Sequence, residues 1–92
     1  MKQTFSLAFI TGATSGIGEA YAKQLPADTH LLLTGRNDAK LKEMQSELQT
    51  QKRFVEIIVA DLATPEGLAL LAEHIKDKPI DLFINNAGIG YF

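Results

Sequence analysis

At 92 residues, with 46 % apolar and 22 % charged residues, the chain has the composition of one small globular domain and not that of a disordered tail. A net charge of −2 argues against nucleic acid as the main partner; the absence of cysteine excludes disulfides and thiolate metal sites and suits a reducing, cytoplasmic setting. No stretch approaches the roughly 20 apolar residues of a membrane-spanning helix, and MKQTFSLAFITG holds too short an apolar run for a signal peptide, so the chain reads as soluble, with no membrane partner.

Residues 5–10 (FSLAFI) form a nearly continuous apolar run closed by a glycine-rich turn, which predicts a strand covered on both faces. From Gly16 the period changes: Ile17, Ala20, Tyr21 and Leu25 recur at helical spacing and predict one buried helical face, which makes Tyr21 a core residue, and Pro26 ends the helix. HLLL with Thr34 predicts a second buried strand. Asp38 then predicts the N-cap of a helix with Leu41, Met44 and Leu48 on one side. FVEIIVAD predicts a third strand. Thr64 and Pro65 read as N-cap and first residue of a further helix, with Glu66 at its positive dipole end and Leu68, Leu71, Ala72 and Ile75 as its apolar stripe. Pro79 closes that helix, and IDLFIN predicts a fourth strand. Strands separated by helices run parallel, and right-handed crossovers put helices on both faces of the sheet. The expectation is an α/β, three-layer, doubly wound parallel sheet.

The loop TGATSGIG, residues 11–18, occupies the first strand-to-helix turn. There Gly12 can take a tight turn, Gly16 can let the backbone approach a pyrophosphate, and Gly18 can let the helix pack close to the sheet. The helix N-terminus at Gly16, Ile17 and Gly18 offers N–H groups and a positive dipole end to phosphates, and Thr14 and Ser15 carry hydroxyls that can donate to the same oxygens. The plainer alternative is a glycine-rich turn followed by a serine N-cap.

With its leading Thr11 the loop resembles the TGxxxGxG loop of the short-chain dehydrogenase/reductase family, and two further motifs stand where that family has them: AD with Leu62 ending the third strand, and NNAG at residues 85–88 ending the fourth. The resemblance implies a Rossmann-like sheet of strand order 3-2-1-4, with residues 1–92 forming a single partial dinucleotide-binding domain. It implies that Asp61 contacts the adenine ring with Leu62 beside it, and that the backbone around Asn86, Ala87 and Gly88 lines the cofactor ribose. The asparagine side chain would tie the fourth strand to the first loop near Thr11.

The second strand ends in Gly35 and Arg36, where a cofactor without a 2′-phosphate is usually met by an acidic side chain. No carboxylate is available there to accept a ribose 2′-hydroxyl. Arg36 can instead form charge-assisted hydrogen bonds with a 2′-phosphate, with Asn37 assisting. NADP(H) is therefore expected over NAD(H), although the glycine loop carries no basic residue of the kind many NADP(H)-preferring members have, and a surface arginine at a strand end is the structural alternative.

Catalysis in the family needs a serine and a Tyr-x-x-x-Lys pair downstream of NNAG, and this sequence contains neither at those positions. Tyr91 has no lysine at the required spacing, and His30 and His74 are isolated. The acidic residues Glu43, Glu47, Glu66, Glu73 and Asp77 read as solvated helix faces, and Asp81 as a cap. No catalytic or metal-ligating residue is expected within these 92 residues. The resemblance thus implies the nucleotide-binding part of an oxidoreductase that interconverts alcohols and ketones or aldehydes by hydride transfer, acting on a small-molecule substrate in the full-length protein. The alternatives are an inactive dinucleotide-binding module and an assembly protein. An apolar fourth strand left at the sheet edge predicts a homo-oligomer formed through it.

Overall fold

The computed structural model describes residues 6–86. In chain order these form β1 (Leu7–Thr11), α1 (Gly16–Gln24), β2 (His30–Gly35), α2 (Asp38–Leu48), β3 (Val55–Val59), α3 (Pro65–Ile75) and β4 (Leu82–Asn85). Every strand pairing is parallel, as the alternation of strands and helices predicts, and the sheet order is β3-β2-β1-β4, as the family resemblance implies.

The pleat sorts the apolar residues between two cores. Ala8, Ile10, Leu31, Leu33 and Val55 face α1 and α2, where they meet Ala22, Leu41 and Met44. Phe9, Leu32 and Ile58 face the other way, where Leu71 of α3 packs with them. The central strands are thus apolar on both sides, and their runs lack the polar alternation of a half-exposed strand. β4 is bonded to β1 on one side only among the described residues; its Phe83 stacks on Phe9 with ring centroids 5.2 Å apart yet stays 56 % exposed.

Two details of the helices differ from expectation. The N-cap of α2 is Asn37, whose Oδ1 accepts the Lys40 N–H at 3.0 Å, and Asp38 is the first helical residue. In α1 the inward residues are Gly18 and Ala22 with Leu25, whereas Ile17 is 57 % and Tyr21 46 % exposed, so Tyr21 is not core. Likewise α3 turns Gly67 and Leu71 inward and leaves Leu68 and Ala72 exposed. The cause is common to both helices: each lies so close to the preceding strand end that only a glycine fits at its third residue, and that contact fixes the rotation of the helix.

The same three-part device builds both turns. In α1, the N-cap Ser15 Oγ accepts the Gly18 N–H at 3.1 Å and donates to the Gly12 carbonyl at 3.0 Å. In α3, the N-cap Thr64 Oγ1 accepts the Gly67 N–H at 3.0 Å and donates to the Asp61 carbonyl at 2.9 Å. A carbonyl, a hydroxyl three residues on and a glycine three further thus recur on opposite faces of the sheet. At the other end of the sheet, Asp81 accepts the N–H groups of Ser6 and Leu7 at 2.7 and 2.8 Å, which hold its carboxyl below the usual carboxylate range.

Candidate functional site

The carboxyl ends of all four strands open into one cleft of ≈ 880 Å³. β1 runs directly into the loop that forms its floor. Gly12 has φ 60°, a left-handed conformation that a side chain would oppose, and so the chain turns sharply after Thr11. Ala13 is fully buried and its N–H donates to the Thr34 carbonyl at 3.0 Å, which hangs the loop on the end of β2. Around Gly16 there is open space, with no atom within 4 Å of where a Cβ would stand. At Gly18 the reverse holds: a Cβ would overlap the Gly12 carbonyl oxygen and lie 2.9 Å from Ala13 Cα and 3.1 Å from Asn86 Nδ2. The first-turn N–H groups of Gly16 and Ile17 have no partner within the helix and mark the positive end of its dipole, whereas that of Gly18 is taken by Ser15.

β4 is latched to this loop by two asparagines. Thr11 Oγ1 donates to Asn85 Oδ1 at 2.8 Å and accepts the Asn86 N–H at 2.9 Å; Asn86 Nδ2 donates to the Gly12 carbonyl at 3.0 Å and also to Ser15 Oγ. The asparagine tie expected near Thr11 is present. Because the Ser15 hydroxyl already donates to Gly12, its proton serves the loop itself.

The far wall comes from β2 and β3. The Ala60 N–H donates to the Gly35 carbonyl at 2.9 Å, which keeps Gly35 and Arg36 level with Asp61 across the sheet. Asp61 and Leu62 line the cleft, and Asp61 Oδ1 accepts the Ala63 N–H at 2.9 Å, which orients its carboxylate within the turn. Arg36 is exposed at the cleft mouth. Gly12, Thr14, Ser15, Gly16, Ile17, Arg36, Asp61, Leu62 and Asn86 are thus brought together around one cavity. Gly18 stands behind the wall as a packing residue, Asn37 is engaged at the α2 N-cap, and Ala87 and Gly88 lie outside the described residues.

Groups elsewhere have structural partners. His30 Nδ1 accepts the Phe54 N–H at 2.8 Å at the amino-terminal end of the sheet. Glu19 bridges α1 to α2, with Lys23 and Lys40 each 3.2 Å away; hydrogen bonds from Lys23 and then Lys40 hold its carboxyl below the usual range. Among the described residues no His, Cys, Asp and Glu group could hold a metal ion, and no helix is long and apolar enough to cross a membrane. Sequence reasoning missed Gly67, which seats Asp61, and gave no role to Ala60 of the AD motif, whose N–H aligns the wall. The repeated spacing of N-cap hydroxyl and glycine, Ser15 to Gly18 and Thr64 to Gly67, is the signal that could have found the first.

Comparison with known proteins places this site in context. A short-chain dehydrogenase from Sphingobium yanoikuyae in complex with NADPH superposes with a TM-score of 0.80 at 35 % identity, over 89 % of this chain and 33 % of that one. L-sorbose reductase from Gluconobacter frateurii, complexed with NADPH and L-sorbose, superposes with a TM-score of 0.74 at 33 % identity, over 92 % of this chain and 34 % of that one. Among curated relatives, the human inactive hydroxysteroid dehydrogenase-like protein 1 is 36 % identical over 99 % of this chain, which spans only 28 % of that protein's length. The short chain dehydrogenase family model matches residues 6–92, and the chain belongs to that family.

Proposed function

We propose that residues 1–92 form a partial dinucleotide-binding domain of a short-chain oxidoreductase, and that it holds NADP(H) in preference to NAD(H). The observation that carries the preference is the end of β2: Gly35 and Arg36 both line the cleft, so a glycine stands where a ribose-binding carboxylate would be needed and an arginine follows it. The residues present fit a dinucleotide. The open space at Gly16 and the first-turn N–H groups of α1 suit a pyrophosphate, and Thr14 adds a hydroxyl on the same wall. Asp61 and Leu62 would hold the adenine, Arg36 the 2′-phosphate, and the backbone after Asn86 the second ribose, through Ala87 and Gly88. Similarity to proteins complexed with NADPH supports this reading.

The bound nicotinamide would supply hydride for interconversion of an alcohol and a ketone or aldehyde; this chain's own residues would bind and orient the adenosine and pyrophosphate part of the dinucleotide. A second reading, an inactive nucleotide-binding protein, is favoured by likeness to a relative named inactive. Binding is common to both. Calorimetric titration is expected to show NADPH held about 10- to 100-fold more tightly than NADH, the worth of one or two charge-assisted hydrogen bonds. Arg36→Asp is expected to abolish that difference, and equal affinities in the parent chain would overturn the preference.

The reading extends to assembly and setting. Among the described residues β4 pairs on one side only, and that edge would pair two copies of the chain in a homo-oligomer; a cysteine-free sequence suits the cytoplasm. Sedimentation is expected to show a dimer; a monomer at high concentration would remove the association from the proposal.

A further inference from the structure

Gly35 is open to the cleft on one side and closed on the other. A Cβ at this position would stand 3.2 Å from Thr14 Oγ1, 3.3 Å from Thr14 Cγ2 and 3.8 Å from Thr14 Cβ, and these are the nearest atoms it would meet. Contacts of that length are tighter than ordinary van der Waals packing, so Thr14 must give way if position 35 acquires a side chain.

Thr14 has little freedom to do so. Its neighbours are fixed on both sides: Ala13 is buried and bonded to the Thr34 carbonyl, and the Ser15 N–H donates to the Gly12 carbonyl at 3.2 Å. The response is therefore confined to rotation about χ1, which is stiff in a β-branched residue. A Cβ facing the gap between Oγ1 and Cγ2 meets at least one of them in every staggered rotamer. Any rotation also moves the threonine within the wall of the cleft.

We propose that Thr14 is a specificity-determining residue for the adenosine ribose: its side chain fills the space that a carboxylate-bearing side chain at position 35 would need, so that recognition of a 2′-hydroxyl requires change at both positions. The inference rests on the NADP(H) reading above and assigns Thr14 a role distinct from that of Arg36. Arg36 attracts a 2′-phosphate, whereas Thr14 excludes the acid that would repel one.

The test is a double-mutant cycle on the 92-residue chain, with NADPH and NADH as probes and calorimetry as the readout. Gly35→Asp alone is expected to weaken NADPH by about tenfold or more through charge repulsion while leaving NADH nearly unchanged. Thr14→Ala with Gly35→Asp is expected to bind NADH about tenfold more tightly than the parent does, the effect of one hydrogen bond to a carboxylate. An equal gain in NADH affinity from Gly35→Asp alone would overturn the proposal. A ligand-free measurement stands beside it: Gly35→Ala is expected to lower the melting temperature in the parent and not in the Thr14→Ala background. Additive melting shifts would overturn the steric coupling, whereas equal NADPH and NADH affinities in the parent with non-additive shifts would overturn only the cofactor preference.

Discussion

Gly67→Ala is expected to unfold the chain or to lower its stability by on the order of 4 kcal/mol or more, at the upper end of single-residue effects. Helix propensity alone predicts the opposite sign, since alanine is favoured over glycine by about 1 kcal/mol within a helix. Sterics decide the outcome. A Cβ at Gly67 would overlap the Asp61 carbonyl oxygen and stand 2.6 Å from the Asp61 carbonyl carbon and 3.0 Å from its nitrogen. These are backbone atoms and cannot rotate away. They are held in place because Thr64 donates both its N–H, at 3.1 Å, and its hydroxyl, at 2.9 Å, to that same carbonyl. Accommodation would lift α3 from the sheet and take Leu71 out of the second core, or push the 61–64 turn outward and carry the Asp61 carboxylate with it. Chemical denaturation measures the first consequence directly. A Gly67→Ala chain as stable as the parent would show that α3 tolerates a wider seat and that the glycine is not required by contact.

The sheet was legible because its signals are long and local. Short apolar runs alternate with segments of helical period, the connections are brief, and that order calls for parallel strands with helices packed on the sheet. The glycine loop was legible for a related reason: Gly12 takes a positive φ and Gly18 a close backbone contact, demands that glycine alone meets, while Gly16 stands in open space. Helix rotation was not legible in the same way. Ile17, Ala20 and Tyr21 make an apolar stripe as regular as Gly18, Ala22 and Leu25, and a pattern weighted by side-chain size prefers the wrong one. The close approach of backbone at Gly18 selects the smaller residues, and nothing in residues 16–25 announces how near the loop will come.

Arg53 shows the same limit in polar form. Within TQKRF it has no apolar or motif context, yet it is only 6 % exposed, with Nε donating to the Thr29 carbonyl at 2.7 Å and Nη2 to the Leu25 and Pro26 carbonyls at 3.3 and 2.5 Å. Burial pulls its pKa down from the ordinary arginine value. Its partners lie 24 to 28 residues earlier, in the turn between α1 and β2, so no local spacing reveals them. The N-cap of α2 differs by a single position, Asn37 in place of Asp38, because both residues carry a capping oxygen and only the backbone path chooses between them.

Gly16→Ala and Gly18→Ala are expected to fail in opposite ways, and the pair separates the folding role of the loop from its binding role. At Gly16 a Cβ meets nothing, so the ligand-free chain should melt at or slightly above the parent temperature, with a gain of up to about 1 kcal/mol from helix propensity. That Cβ stands on the wall of the cleft at the first residue of α1, where the pyrophosphate is proposed to approach the backbone. Loss of two charge-assisted N–H contacts there should weaken NADPH by about 100-fold or more. At Gly18 the added carbon enters the space held by the Gly12 carbonyl, Ala13 Cα and Asn86 Nδ2, which together join the loop to β4. Relief requires α1 to retreat, which breaks the Ser15 N-cap bond to the Gly18 N–H and exposes Ala22, at a cost of about 3 kcal/mol. Melting and calorimetry of both variants read the two effects independently. Unchanged NADPH affinity in Gly16→Ala would sink the assignment of this loop as a pyrophosphate cradle, whereas an unchanged melting temperature in Gly18→Ala would mean that α1 is free to shift and that its position does not depend on contact with the loop.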